Sequence, residues 1–139
     1  MQPLEAAYLA GFLDGEGSFG IYRSGARMTC SNRHLETLVW IKEITGFGRV
    51  WEPRGNSQFN RSAPCYQWET GANGCRYILP LIIPYMRVNR IRAESLKEYL
   101  DGVIPSSTSM ASAEEIARRE ILKQRINGRL ILWGNAERK

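Results

Sequence analysis

The residue best placed to do chemistry in this chain is an acid at the end of a helix that carries an unusual cost. Residues 9–17 read LAGFLDGEG, with Gly11 and Gly15 one turn apart and Glu16 just before the closing glycine. Each glycine inside a helix costs about 1 kcal/mol relative to alanine, so accepting two implies that another backbone must come close. Tyr8, Gly11, Phe12 and Gly15 fall at i, i+3, i+4 and i+7 and share one stripe. That spacing predicts a face built to pack against a second helix, with the acid at the mouth of the contact. If two copies of the helix meet, their Glu16 carboxylates approach each other. Two like charges about 4 Å apart repel by roughly 4 kcal/mol at an effective dielectric near 20, so the pair needs protonation or bridging cations. Asp14 sits two residues back and points about 200° away around the helix; capping or pairing near the helix end is its expected role.

The elements that must position these groups follow from periodicity. A helix is predicted over 4–16, with Pro3 suited to its first turn and Gly17 ending it. Phe19 and Ile21 then alternate with Ser18, Gly20 and Tyr22, and after a turn at Ser24-Gly25, Met28 and Cys30 alternate with Arg27, Thr29 and Ser31. This is a hairpin with one apolar and one polar face. Leu35, Leu38, Val39 and Ile41 give an amphipathic helix that Gly46 stops. The pattern repeats with a short strand over 49–51, a polar loop over 53–64, and a strand in which Tyr66 and Trp68 alternate with Cys65, Gln67 and Glu69. A turn is predicted over 71–74 and an apolar helix over 77–86, broken near Pro80 or Pro84. A helix over 92–99 follows, with Ala93, Leu96 and Leu100 on one side. A Ser-rich linker over 105–112 supplies an N-cap for a last, charged helix over 113–126.

The nine residues closely resemble the signature of the LAGLIDADG homing endonucleases. Leu9, Ala10 and Gly11 match outright, Phe12 and Leu13 are apolar stand-ins, Asp14 and Gly17 match, and Gly15 is a small residue in place of alanine. Glu16 occupies the eighth position, where the family places its metal-binding acid. The resemblance implies an α+β fold, an αββαββα LAGLIDADG domain with a curved antiparallel sheet and extra C-terminal helices. It also implies an endonuclease domain over 1–104, with a linker and helical tail over 105–139 packed on it. The motif occurs once, so the resemblance is to the single-motif, homodimeric type.

By that resemblance Glu16 is a catalytic metal ligand, with the main-chain carbonyl of Gly15 beside it. Hard oxygen ligands facing phosphates select Mg²⁺; Mn²⁺ is expected to substitute, and Ca²⁺ to bind without supporting cleavage. Asn32 stands where the family orders attacking water, although a helix N-cap is an equally simple role for it. Where the family has a lysine after its third helix this chain has Asn89, so Arg87 and Arg90 become the candidates for stabilising the scissile phosphate. Ordinary backbone-phosphate contacts are their alternative. The polar sheet face implies a major-groove surface made of Ser18, Tyr22, Arg23, Arg27, Thr29, Ser31, Arg49, Trp51, Gln67 and Glu69, whose Arg, Gln and Glu side chains suit base edges. Gly20 would contribute only by being small. The loop with Arg54, Asn56, Gln58, Asn60 and Arg61 would extend that surface. Tyr8, Gly11, Phe12 and Gly15 form the implied dimer interface, and His34, the only histidine, has no catalytic role.

The expected function is therefore site-specific cleavage of double-stranded DNA by a homodimer. The resemblance implies Mg²⁺ dependence, a long near-palindromic target and 3′ overhangs. The alternative is a non-catalytic relative, a maturase or regulator, and loss of the eighth-position acid would favour it. A third reading, a structural protein using the helix only to dimerise, predicts no salt-sensitive affinity for DNA.

Bulk properties are consistent with this and narrow the field. The 139 residues suffice for one domain with its own core, and 43% are hydrophobic, which excludes wholesale disorder. The net charge of +5 and a pI near 9.4 favour a polyanionic partner. No run of eighteen apolar residues spans a membrane, and no secretory signal is expected. Cys30, Cys65 and Cys75 suggest neither a disulfide framework nor a zinc site, so an intracellular setting is expected. Organellar, archaeal, bacterial and phage origins are equally compatible, with an intron or similar mobile element as host. No small-molecule cofactor beyond the metal is expected.

Overall fold

The computed structural model describes residues 1–23, 25–53, 65–102 and 112–127. The chain opens with α1 (Pro3–Glu16), runs directly into β1 (Gly17–Tyr22), and returns along β2 (Gly25–Asn32) to α2 (Leu35–Thr45). Then come β3 (Arg49–Trp51), β4 (Tyr66–Thr70), α3 (Ala72–Ile82), a single 3-10 turn (Ile83–Tyr85), α4 (Arg90–Asp101) and α5 (Ala113–Asn127). The first seven elements are the αββαββα order expected, and α4 and α5 are the extra C-terminal helices. The four strands form one antiparallel sheet in the order β1-β2-β4-β3.

Among the described residues, helices cover one face of the sheet and no element covers the other. Phe19, Ile21, Ala26, Met28, Cys30 and Trp68 from the strands are buried against Leu9, Leu13, Leu38, Ile41, Ile78, Leu79 and Leu96 from the helices. The thiols of Cys30 and Cys75 lie in this layer, and burial pushes both up to about 12, with the nearby Glu16 charge adding to the effect at Cys30. Gly46 ends α2 in the left-handed conformation (φ 70°), the usual helix stop.

Three local expectations need correction. The third helix begins at Ala72, where a turn was predicted, and it accommodates Pro80 in its interior; only Pro84 converts the chain to a 3-10 turn. Packing accounts for the early start, because Gly74 and Cys75 are buried on the sheet. A side chain at 74 would collide with Thr70, to within 2.0 Å of its hydroxyl. Leu35 and Val39 are exposed rather than part of the buried stripe of α2. Gly20 is buried rather than open on the polar face, because the Tyr22 ring folds across it; a Cβ at 20 would come within 2.7 Å of that ring.

The end of the described chain is tied to the start. Ser112 caps α5 by accepting from the Glu115 N–H (3.2 Å), and Leu122 and Ile126 are buried. Asn127, at the end of α5, then pairs with β1, an edge strand. Its Oδ1 accepts from the Ile21 N–H at 3.1 Å and its Nδ2 donates to the Ile21 carbonyl at 2.8 Å. In an antiparallel strand one residue presents both groups to the same side. The side-chain amide thus takes the place of one residue of a neighbouring strand and closes part of an exposed edge. Asn127→Ala should cost about 1–2 kcal/mol of stability, one net increment per lost bond. Urea unfolding measures the loss, and faster amide exchange at Ile21 localises it.

Candidate functional site

Helix α1 is apolar around most of its circumference, and only one side of it is covered. Ala6, Leu9, Ala10 and Leu13 are buried in the core. On the opposite side Leu4 is 85% exposed and Tyr8 57% exposed, and Gly11 and Gly15 lie open between Tyr8 and the helix end. Phe12 is half-buried and stacks on Tyr8 (centroids 6.4 Å apart), while Trp40 of α2 meets the Tyr8 ring edge-on at 5.2 Å. An ideal Cβ at Gly11 or Gly15 meets nothing within 4 Å. Nothing within the described chain therefore requires glycine at either position.

The far end of α1 is held by the segment leading into α4. Asp14 accepts from two backbone amides, Arg87 N–H to Oδ2 at 2.7 Å and Asn89 N–H to Oδ1 at 2.9 Å. Asn89, only 8% exposed, returns the contact by donating from Nδ2 to the carbonyls of Leu13 (3.3 Å) and Asp14 (3.2 Å). The Asp14 carbonyl is one that a helix end otherwise leaves unpaired, whereas the Leu13 carbonyl also accepts from the Gly17 N–H. Asp14 is thus a pairing residue, and Asn89 is its reciprocal partner. This role of Asn89 was missed from sequence, and a contact between residues 75 apart leaves no local signal.

Glu16 is exposed, and among the described residues no hydrogen bond or ion pair holds its carboxylate. Among the described residues no turn or cap bond uses the Gly15 carbonyl. The two oxygens suit a hard divalent ion such as Mg²⁺. Among the described residues no three His, Cys, Asp or Glu side chains cluster to hold a metal.

The strand register places the remaining candidates. Gly17 pairs with Cys30, so Glu16 lies just beyond the end of the β1–β2 ladder, on the side where β2 runs on to Asn32. Asn32 Oδ1 accepts from the His34 N–H (2.8 Å), and His34 Nδ1 lies 2.8 Å from the Thr37 hydroxyl, so both shape the entry to α2. Neither is the side-chain cap of that helix. Arg87 is exposed at the α1 end, through its backbone bond to Asp14. Arg90 opens α4 and pairs with Glu94 at 2.9 Å, while Arg92 keeps a buried Nε with no partner among the described residues.

The open face of the sheet reads in rows. Ser18, Thr29, Glu69 and Arg49 lie opposite one another across all four strands; Gly20 faces Arg27; Ser31, Gln67 and Trp51 form a third row. Arg27 stands 5.1 Å over the Tyr22 ring and Arg49 5.4 Å over the Trp51 ring. Glu69 is engaged by both arginines. Arg23 lies in the β1–β2 turn and not in these rows. Arg54, Asn56, Gln58, Asn60 and Arg61 lie outside the described residues.

No protein-family model matches the sequence, and no curated protein matches it. Solved structures are similar in fold. The homing endonuclease I-CvuI, in complex with its target in the presence of calcium, superposes with a TM-score of 0.60 at 18% identity, covering 88% of this chain and 95% of that one. The archaeal intron-encoded homing endonuclease I-Vdi141I, complexed with DNA, gives 0.58 at 17% identity over 90% and 98% of the two chains. The meganuclease I-SmaMI, bound to uncleavable DNA, gives 0.60 at 15% identity; 88% of this chain is covered, but only 45% of that one. The chain has the LAGLIDADG homing-endonuclease fold.

The clasp at the end of α1 makes a sharp distinction between neighbouring acids. Asp14→Ala strands two amides and should cost about 2–4 kcal/mol, whereas Glu16→Ala should stay within about 0.5 kcal/mol of the parent. Urea titrations of the two variants supply the comparison.

Proposed function

We propose that this protein is a site-specific double-strand DNA endonuclease acting as a homodimer. One observation carries the reading: an unpaired carboxylate, Glu16, stands at the end of a helix whose outward side is Leu4, Tyr8, Gly11 and Gly15. A helix that is apolar all round is buried all round, and a second copy of α1 is the surface that fits two glycines a turn apart. Pairing along that stripe brings the two Glu16 carboxylates together next to the open sheet faces. Twofold symmetry then favours a near-palindromic target.

Each residue has a definite task in this reading. Glu16 and the Gly15 carbonyl hold Mg²⁺ at the seam, with Mn²⁺ able to replace it and Ca²⁺ supporting binding only. The ion, when bound, supplies Lewis acidity for phosphodiester hydrolysis at the scissile phosphates. Asn32 orients solvent at the end of the ladder, and Arg87 and Arg90 face the phosphates. Ser18, Tyr22, Arg27, Thr29, Ser31, Arg49, Trp51 and Gln67 lie along the major groove, joined by Arg23 at the turn. Cleavage leaves 3′ overhangs. The I-CvuI, I-Vdi141I and I-SmaMI complexes, all DNA-bound, support the choice of partner, and the net charge of +5 per chain suits it.

Glu16→Gln should abolish cutting of a duplex selected from a random library while leaving its affinity within about threefold, since one neutralised carboxylate barely alters phosphate contacts. Retained cleavage in Mg²⁺ would remove Glu16 from the metal site. Gly11→Leu costs nothing inside one chain, where the space is open, and should convert the dimer to monomer on sedimentation; an unchanged mass would reject the α1 pairing.

A further inference from the structure

Five side chains form one connected cluster across the open face. Tyr22 on β1 supports Arg27 on β2, and Trp51 on β3 supports Arg49 on the same strand. Glu69 on β4 lies between the two arginines. Its Oε1 accepts from Arg49 at 2.6 Å (Nη2) and 2.8 Å (Nε), a two-pronged contact, and its Oε2 faces Arg27 Nη1 at 3.5 Å. The side chain of Glu69 is only 11% exposed, whereas Arg49 is 71% exposed. The carboxylate therefore sits beneath the guanidinium groups. Arg27, Arg49 and Glu69 line an open hollow of about 390 Å³, completed by Ala26, Gly48 and Thr70–Ala72.

We propose that Glu69, flanked by Arg27, is a positioning residue that locks Arg49 as a preset reader of base edges in the major groove, and is not itself a base contact. This rests on the DNA-binding reading above. A buried carboxylate bonded to both neighbours is poorly available to a cytosine amino group. A guanidinium held on one side by a carboxylate and on its face by an aromatic ring has lost the rotamer freedom that a base contact would otherwise have to remove. The N–H donors of Arg49 that Glu69 does not take match the O6 and N7 acceptors of guanine. Glu69 also subtracts a negative charge's worth of phosphate attraction from the cluster, so its contribution favours discrimination over raw affinity.

That trade-off has an unusual sign. Glu69→Gln should bind a random duplex pool at least as tightly as the parent, while its preference for the duplex selected by the parent falls about tenfold. The measurement is fluorescence anisotropy on the full chain at one fixed salt concentration, with both pools. Arg49→Lys, at an exposed position, should keep the parent melting temperature and lose preference at one base position per half-site, because a lysine cannot make the two-pronged contact. If Glu69→Gln keeps the full preference, or loses affinity for both pools alike, the positioning role is wrong. Should that variant not fold, Arg49→Lys decides: unchanged preference at every position overturns the proposal. A parent that prefers no duplex over the random pool overturns the DNA-binding reading itself, a result distinct from either variant's.

Discussion

The clasp between Asp14 and Asn89 is the contact on which the geometry of this molecule depends. It joins the end of α1 to the start of α4 by four hydrogen bonds, all donated by Arg87 and Asn89 to oxygens of Leu13 and Asp14. Three consequences follow from that one junction. The Leu13 and Asp14 carbonyls are bonded at the helix end, and the chain passes from Glu16 straight into β1. The direction of α1 is set relative to the sheet. Asp14 is turned inward, and the 200° between it and Glu16 then turns Glu16 out to solvent. The catalytic candidate is exposed because its neighbour is engaged.

Glu16 and the sheet face are placed by different means. Glu16 owes its position to a helix end, while the face owes its order to strand register. Cross-strand neighbours on an antiparallel sheet lie close enough for direct side-chain contact, and a slip of one residue would send Arg27 and Glu69 to opposite faces. Register is pinned by the apolar layer beneath, where Met28, Cys30 and Trp68 are fully enclosed. The buried core thus sets which polar groups meet on the other side.

Much of this was legible from local sequence. The 3.6-residue period separated Asp14 from Glu16, and alternation found both strands of the first hairpin and the face each residue takes. What local reading missed depended on distant partners. Asn73, Gly74 and Cys75 are weak helix formers, and α3 runs through them because Gly74 and Cys75 pack against the sheet. Leu35 and Val39 have the right spacing for a buried stripe, yet the core ends before it reaches them. Gly20 belongs by parity to the polar face, but the Tyr22 ring covers it. Asn89 and Glu69 were seen as single residues to be matched to a role; the clasp and the cluster exist only once residues 14 and 89, or 27, 49 and 69, are brought together.

The tail beyond α4 bears on the same face. β1 carries Ser18 and Tyr22, and being an edge strand it has a neighbour in the sheet on one side only. Its first residue follows directly from the clasped end of α1, and its fifth, Ile21, is held by Asn127. An edge strand anchored at both ends keeps its twist and its spacing from β2. Tyr22, immediately after Ile21, is the ring that supports Arg27. The order of the sheet face at Arg27 therefore depends on a residue 100 positions later in sequence, which makes α5 part of the scaffold of the open sheet face rather than an appendage to it.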